Sequence, residues 1–347
     1  MRAVVAAGPD IVEVADVPEP GIKEPGDAIV AVAATAICGA DLLPVAGRVP
    51  GFEWGTVLGH EFAGTVADAG PEVPFRPGTR VVCSSTYSCG HCRACRAGAS
   101  PQCESMALFG FSGVYPKLDG GQAERVRVPN ARRLLWPLPP ELDDESAVFV
   151  ADILPTAMRA VQRADLGAGP PGADPVLAVT GAGPVGLLTL LVAGPRTAYV
   201  VMVDPDEARR AAAAGLGAAA VTPEDAPDCI GSLTGGRGAD AVVEASGSEA
   251  ALRLALELVS SRGTVSVVGA HFNPAAPIDL GRMFANESTL RFSIGAPTDD
   301  REQAANLILG GHIDPQRIIS HRLALEQAPE AYGVFGLHGA TKVLLSP

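Results

Sequence analysis

VLAVTGAGPVGLLTLLVAGPRTAYVVMVD, residues 176–204, joins two apolar runs through a glycine-rich turn and an apolar segment of helix length. The first run, Val176 to Thr180, carries no charge, and the second, Tyr199 to Val203, ends on Asp204. Short continuous aliphatic runs are what strands buried on both faces require. Between the runs Gly181, Gly183 and Gly186 stand in a G-x-G-x-x-G spacing. After a strand and before a helix, that spacing lets the backbone approach a pyrophosphate at a helix N-terminus, and an acid ending the next strand accepts a hydrogen bond from a ribose hydroxyl. A tight strand–helix turn without a ligand is the plainer reading of three glycines alone; the flanking strands, the helix and Asp204 favour a dinucleotide. A carboxylate at 204 repels a 2′-phosphate, so NAD is expected over NADP, and Arg209 and Arg210 soften that preference.

Downstream the alternation continues. Residues 241–245, 264–268 and 289–294 read as strands and 249–260 as an amphipathic helix, a series that predicts an α/β fold with a doubly wound parallel sheet. Upstream the texture differs. Residues 1–35 and 62–83 are Val- and Ala-rich strands separated by Pro and Gly turns, a β-rich region. A hairpin is expected over 119–136, turning at Gly120 and Gly121, then one helical run from Pro139 to Ala160. The change to strand–helix alternation falls near residue 170. After 296 come a helix through Leu309, a strand near 318–322, a short helix and a final strand from Lys342. At 347 residues two domains are expected. The boundaries are set at 1–153 with a C-terminal return over 296–347, and 154–295 for the dinucleotide-binding domain.

A net charge of −13 weighs against a nucleic-acid or anionic-membrane surface, which needs clustered Lys and Arg. A small-molecule substrate is the expected partner. No apolar run approaches the roughly 20 residues of a spanning helix, and the N-terminus alternates like a strand rather than a signal peptide. A cytoplasmic location is therefore expected, where thiols stay reduced and seven cysteines point to metal or chemistry.

Four of the seven, Cys89, Cys92, Cys95 and Cys103, follow C-x2-C-x2-C-x7-C, with Gly90 and Gly98 to fold the loop back. One tetrahedral zinc satisfies four such thiolates, and an iron–sulfur cluster is the alternative. Cys83 and Cys229 read as inert core thiols and His91 as solvated. A second candidate centre is AICGADLLPVAGRVPGFEWGTVLGHE, residues 36–61, with Cys38, Asp41, His60 and Glu61. These groups bind metals or orient their ligands, although taken singly each is more often core or surface. Asp152, amid apolar neighbours, is a further candidate ligand or a helix cap near Pro155.

With these pieces in order, C-G-x-D at 38–41, G-H-E at 59–61, the four-cysteine lobe and GAGPVG at 181–186, the chain resembles the zinc-dependent medium-chain dehydrogenase/reductases of the alcohol dehydrogenase superfamily over nearly its whole length. DGGQAE at 119–124, ADILPTA at 151–157 and IISHRLALEQAPEAY at 318–332 look most like the formaldehyde, threonine and polyol dehydrogenase branches. The resemblance implies a GroES-like β-rich catalytic domain beside a Rossmann domain. It implies a catalytic zinc on Cys38, His60 and Asp152, with Glu61 in a second shell or exchanging as a ligand and Asp41 holding the free nitrogen of His60. The four-cysteine zinc would be structural, making two zinc ions per chain. Thr156, Val185 and Gly269 would meet the nicotinamide and Lys342 the pyrophosphate, while His321 reads as packed. The strand at 289–294 resembles the one that pairs subunits, so a homodimer or homotetramer is expected.

The implied activity is hydride transfer between a nicotinamide and an alcohol or carbonyl, assisted by zinc. The family usually disposes of the hydroxyl proton through a Ser or Thr two residues after the zinc cysteine and often a His three residues further on. Here Ala40 and Leu43 stand there, and neither carries a proton. Three readings stay open: another proton route through Glu61 or water, a reductase acting on a carbonyl, C=C or C=N bond, or a non-catalytic zinc- and NAD-binding protein. Leu42, Leu43, Phe52, Trp54, Phe109 and Phe111 would line an apolar pocket or belong to the core.

Overall fold

All five residues of Val176–Thr180 are buried, and in the computed structural model they form an inner strand of a six-stranded sheet. The structure describes residues 1–166, 175–197, 199–271, 275–276, 278–336 and 340–347. The sheet runs Ala219–Val221, Tyr199–Val203, Val176–Thr180, Ala239–Glu244, Val259–Val267, Thr289–Phe292, and every neighbouring pair is parallel. In chain order this is 3-2-1-4-5-6, the doubly wound arrangement whose order reverses beside the first strand. Parallel strands need crossover helices, which cover their faces and account for unbroken apolar runs such as VLAV at 176–179 and AVV at 241–243. The core beneath joins Val176, Ala178, Val201, Val203, Val242 and Val265 to Ile230, Leu252 and Leu256 of the helices.

The chain divides into two compact units, Met1–Pro155 with Ala296–Pro347, and Thr156–Gly295, against divisions expected after 153 and 295. The first holds a seven-stranded sheet ordered Ile319–Ala324, Lys342–Ser346, Ala28–Ile37, Glu61–Ala69, Arg80–Cys83, Leu135–Pro137, with Arg125–Val128 also pairing with Ala28–Ile37. Its pairings are antiparallel apart from the one between Ile319–Ala324 and Lys342–Ser346. Two antiparallel two-stranded ribbons, Arg2–Gly8 with Ile11–Asp16 and Thr86–Tyr87 with Ala107–Leu108, accompany it.

Two sequence expectations are corrected. No hairpin forms over 119–136: Arg125–Val128 pairs with Ala28–Ile37 and Leu135–Pro137 with Arg80–Cys83, with the short helix Ala131–Leu134 between. Alternation marks a strand but does not choose its partner. Gly120 and Gly121 lie in a loop and donate to Val57 O and Gly59 O. Likewise the helical run is two helices, Asp144–Val150 and Ile153–Ala164. Pro155 has no N–H, and its ring collides with the carbonyl four residues earlier, that of Ala151. The helix breaks there, and Ala151 O instead accepts from Ser85 N at 3.0 Å. Asp152 sits in the break. The texture change placed near residue 170 lies outside the described residues. Among the described residues no helix is long and apolar enough to cross a membrane.

Candidate active site

Antiparallel register assembles the first centre. Ala36 of Ala28–Ile37 faces Glu61 of Glu61–Ala69, so Cys38, just past the end of one strand, and His60, just before the other, emerge at the same edge. Phe62 faces Cys83, which brings Ser85 to that edge too. Ser85 Oγ donates to Asp152 Oδ1 at 3.0 Å, and Asp152 Oδ2 stands 3.5 Å from His60 Nε2. One ligand atom each from Cys38, His60, Glu61 and Asp152 lies within 4.8 Å of the others.

Asp41 bridges two of them. The three-residue turn Gly39–Asp41 returns its carboxylate to the start of the turn, where Oδ2 accepts from Cys38 N at 2.9 Å, while Oδ1 meets His60 Nδ1 at 2.9 Å. A carboxylate only accepts, so Nδ1 donates its hydrogen to Asp41, which leaves Nε2, facing Asp152, as the nitrogen that would give its lone pair to a metal. Asp41, His60 and Glu61 are essentially buried.

The charges are strained. Burial pushes the Cys38 thiol up and the Glu61 charge adds to the rise. Burial works to lower the His60 value, yet Asp41, Cys38 and Asp152 together raise it well above the ordinary range. Glu61 Oε2 receives Lys342 Nζ at 2.6 Å, but Glu61 Oε1 is buried without a partner. A buried carboxylate oxygen lacking a donor is costly. A cation within reach of the Cys, His and Asp donors would satisfy it, and a mixed S, N, O set with tetrahedral reach suits zinc. The residues therefore fit the metal.

Lys342 corrects the expectation of a pyrophosphate contact. Its side chain is 0% exposed, and Nζ donates to Glu61 and, at 3.1 Å, to Ile37 O. A fully enclosed ammonium needs an anion at contact distance, and burial, which lowers its value, is outweighed by Glu61, which raises it.

The four-cysteine lobe forms the second cluster, again within 4.8 Å. Backbone N–H groups point at sulfur throughout: Cys89 N to Cys103 Sγ at 3.2 Å, Cys92 N to Cys89 Sγ at 3.3 Å, Cys95 N to Cys92 Sγ at 3.5 Å and Ser105 N to Cys103 Sγ at 3.4 Å. The N–H groups of Cys95 and Glu104 hold Cys92 down to about 6, whereas burial and the neighbouring thiols push Cys95 up to about 12. All seven cysteines are free thiols. His91 is exposed and Cys83 buried, while Cys229 is half-buried.

In the second unit, Gly181 follows the strand with φ +104° and Gly183 precedes the helix Pro184–Ala193. A Cβ on Gly186 would meet Gly181 O at 1.9 Å, so only glycine lets helix and turn approach, while the space beside Gly183 is open. Asp204 Oδ2 accepts from Ala182 N at 2.8 Å, and Oδ1 accepts from Asp206 N at 2.9 Å. The acid therefore braces the glycine turn as well as ending its strand.

Residues 24–140 match the alcohol dehydrogenase GroES-like domain and residues 184–310 the zinc-binding dehydrogenase domain. Zinc-type alcohol dehydrogenase B of Aspergillus flavus is 35% identical, covering 99% of this chain and 81% of its own. Alcohol dehydrogenase TADH from Thermus sp. ATN1 superposes with a TM-score of 0.94 at 36% identity, covering 100% of both chains. A Sinorhizobium meliloti 1021 protein solved with NADP bound gives 0.84 at 30% identity, covering 100% of this chain and 99% of its own. The chain belongs to the zinc-dependent medium-chain dehydrogenase/reductase family.

Within this dehydrogenase the remaining expected residues fall as follows. Val185 lies in the first turn of its helix, half-buried. Thr156 is half-buried and packs against Gly295, where a Cβ would come within 2.0 Å of its Oγ1. Gly269 follows the fifth sheet strand, and a Cβ there would meet Gly247 N at 2.2 Å. Ala40 and Leu43 are half-buried just after Cys38, His321 lies on the edge strand Ile319–Ala324, and Phe109 is core, packed on Phe62. Phe111 is the aromatic beside the centre, 6.4 Å from the His60 ring, and Trp54 is 43% exposed. Sequence reasoning missed Ser85, Gln122 and Tyr332 near the first centre. It also missed Glu244, fully buried, whose carboxylate accepts from Ser246 N and Gly247 N at 2.8 Å and meets His271 Nε2 at 2.9 Å. An acid ending the apolar run AVVE was the available signal for Glu244; Ser85 had none.

Proposed function

We propose that this dehydrogenase transfers hydride between a nicotinamide cofactor and an alcohol or carbonyl substrate at a zinc held by Cys38, His60 and Asp152. The observation carrying this reading is the convergence of those donors, with Glu61, inside 4.8 Å. Zinc there would act as a Lewis acid on the substrate oxygen. The chain's own residues do the rest. Asp41 sets the His60 tautomer and holds the Cys38 backbone, Ser85 orients Asp152, and Lys342 retains Glu61 beside the ligands without displacing them. Cys89, Cys92, Cys95 and Cys103 hold a second, structural zinc. Gly181, Gly183 and Gly186 receive a dinucleotide pyrophosphate, Val185, Thr156 and Gly269 lie toward the nicotinamide, and Asp204 favours NAD over NADP.

Ala40 and Leu43 favour a second reading: a reductase acting on a C=C or C=N bond, which forms no alkoxide for the usual hydroxyl relay to protonate. Free thiols suit a cytoplasmic setting. Metal analysis should give about two zinc ions per chain, and NADH oxidation or NAD reduction should follow with some member of an alcohol and carbonyl panel. Two zinc ions without hydride transfer to any panel member would leave a binding protein and overturn the enzyme reading.

A further inference from the structure

Two segments singled out in the sequence, DGGQAE and IISHRLALEQAPEAY, take no part in the centre as described, yet they meet behind it. Gln122 from the first is fully buried, and Tyr332, the last residue of the second, is 5% exposed. Tyr332 Oη donates to Gln122 Oε1 at 2.8 Å. Gln122 Nε2 donates to Ala36 O at 3.1 Å and points to Asp41 Oδ2 at 3.4 Å. The orientation of this amide follows from its surroundings: two acceptors face one end, so that end is the NH2, and the oxygen is left for a hydroxyl. Tyr332 stays a neutral donor because burial and then the charge of Asp41 push its phenol well up. The loops are shaped for this amide. Gly59, at φ +93°, would bring a Cβ within 2.4 Å of Gln122 Cγ, so the residue before His60 must be glycine for Gln122 to fit.

We propose that Gln122 and Tyr332 are positioning residues that tune metal affinity at Cys38 and His60 by fixing the Asp41 carboxylate. Asp41 contacts both ligands and divides its oxygens between them, with Oδ1 facing the His60 ring and Oδ2 the Cys38 N–H. Gln122 supplies a second donor to Oδ2 and anchors it to the Ala36 carbonyl, two residues before Cys38 in the same chain segment. Rotation of the carboxylate would forfeit these contacts together, and in a buried network each lost partner is costly. Tyr332 prevents the amide from turning its oxygen toward Asp41, since the Gln122 oxygen would then lose its donor and face a carboxylate.

This rests on reading Cys38, His60 and Asp152 as a metal site, and the test separates the two. Metal-stripped full-length protein is titrated with Zn2+ and, separately, Co2+ against a chromogenic chelator, with the four-cysteine site as internal reference. Gln122→Leu should weaken the Cys38 site by about 10–100-fold and Tyr332→Phe by about tenfold, as loss of outer partners does elsewhere, with a shifted Co2+ visible spectrum and an unchanged four-cysteine site. In an Asp41→Asn background Gln122→Leu should add no further loss, because the effect runs through Asp41. Tyr332→Phe removes one oxygen only and keeps the test available if Gln122→Leu does not fold. Wild-type protein that loads only the four-cysteine site overturns the metal reading and this proposal with it. Wild-type protein that loads both sites, with both variants equal to it in affinity and spectrum, overturns the proposal alone.

Discussion

Individual side chains around Cys38 divide into those that would touch a ligand and those that hold them. Asp41 is the most constrained, sharing its two oxygens between His60 and the Cys38 backbone. Ala40, one residue before it, is where an ordinary alcohol oxidation would want a hydroxyl. Ala40→Ser should raise kcat for alcohol oxidation if proton disposal limits it, by up to the 10²–10⁴-fold that a positioned acid–base group contributes. Steady-state rates across pH check this, and no gain in the oxidative direction would favour the reductase reading. Gly59 is conformationally bound twice, by φ +93° and by the Gln122 side chain. Gly59→Ala should cost about 1–3 kcal/mol, read from denaturant midpoints.

Strands and turns act here as carriers of charge states. In the metal-free protein both Cys38 and His60 hold protons more firmly than usual. For His60 the folded value lies above the unfolded one, so its contribution to metal-free stability is present below about pH 6.5 and lost as pH rises through the folded value. Metal must displace both protons, so zinc affinity at this site should rise with pH with a slope approaching two protons per ion around neutrality. Calorimetric titrations in buffers of different ionisation enthalpy measure the protons released, and zero release would contradict these charge states. The Lys342–Glu61 pair joins two strands beneath the centre. Lys342→Met strands a buried carboxylate and should cost about 3–5 kcal/mol, whereas a lysine serving only a pyrophosphate would change cofactor KM and leave thermal stability alone.

One edge of the parallel sheet is Thr289–Phe292, and around it Leu280, Phe284, Phe292 and Ile294 are 74%, 88%, 61% and 52% exposed. An open apolar edge favours pairing with another strand, and a second copy of this chain is the proposed partner. Phe284→Lys with Phe292→Lys should shift light scattering from oligomer to monomer; a monomeric wild type would refute the pairing. Much of this molecule was legible in its residues. The apolar runs around GAGPVG and the C-x2-C-x2-C-x7-C spacing are local patterns, and local patterns report strands, glycine turns and a cluster of four thiols because the groups involved lie within a few residues of one another. What lay beyond them was decided by distant partners. Residues 119–136 alternate, yet their strands pair with Ala28–Ile37 and Arg80–Cys83 rather than with each other. Lys342 turned from a cofactor contact into the counter-ion of Glu61, 281 residues away, because a buried ammonium goes where an anion is enclosed with it. Gln122 and Tyr332, 210 residues apart, met behind Asp41 for the same reason: side-chain hydrogen bonds between separate strands and helices are satisfied only once the sheet register has brought them together, and no period or spacing in the chain encodes that register.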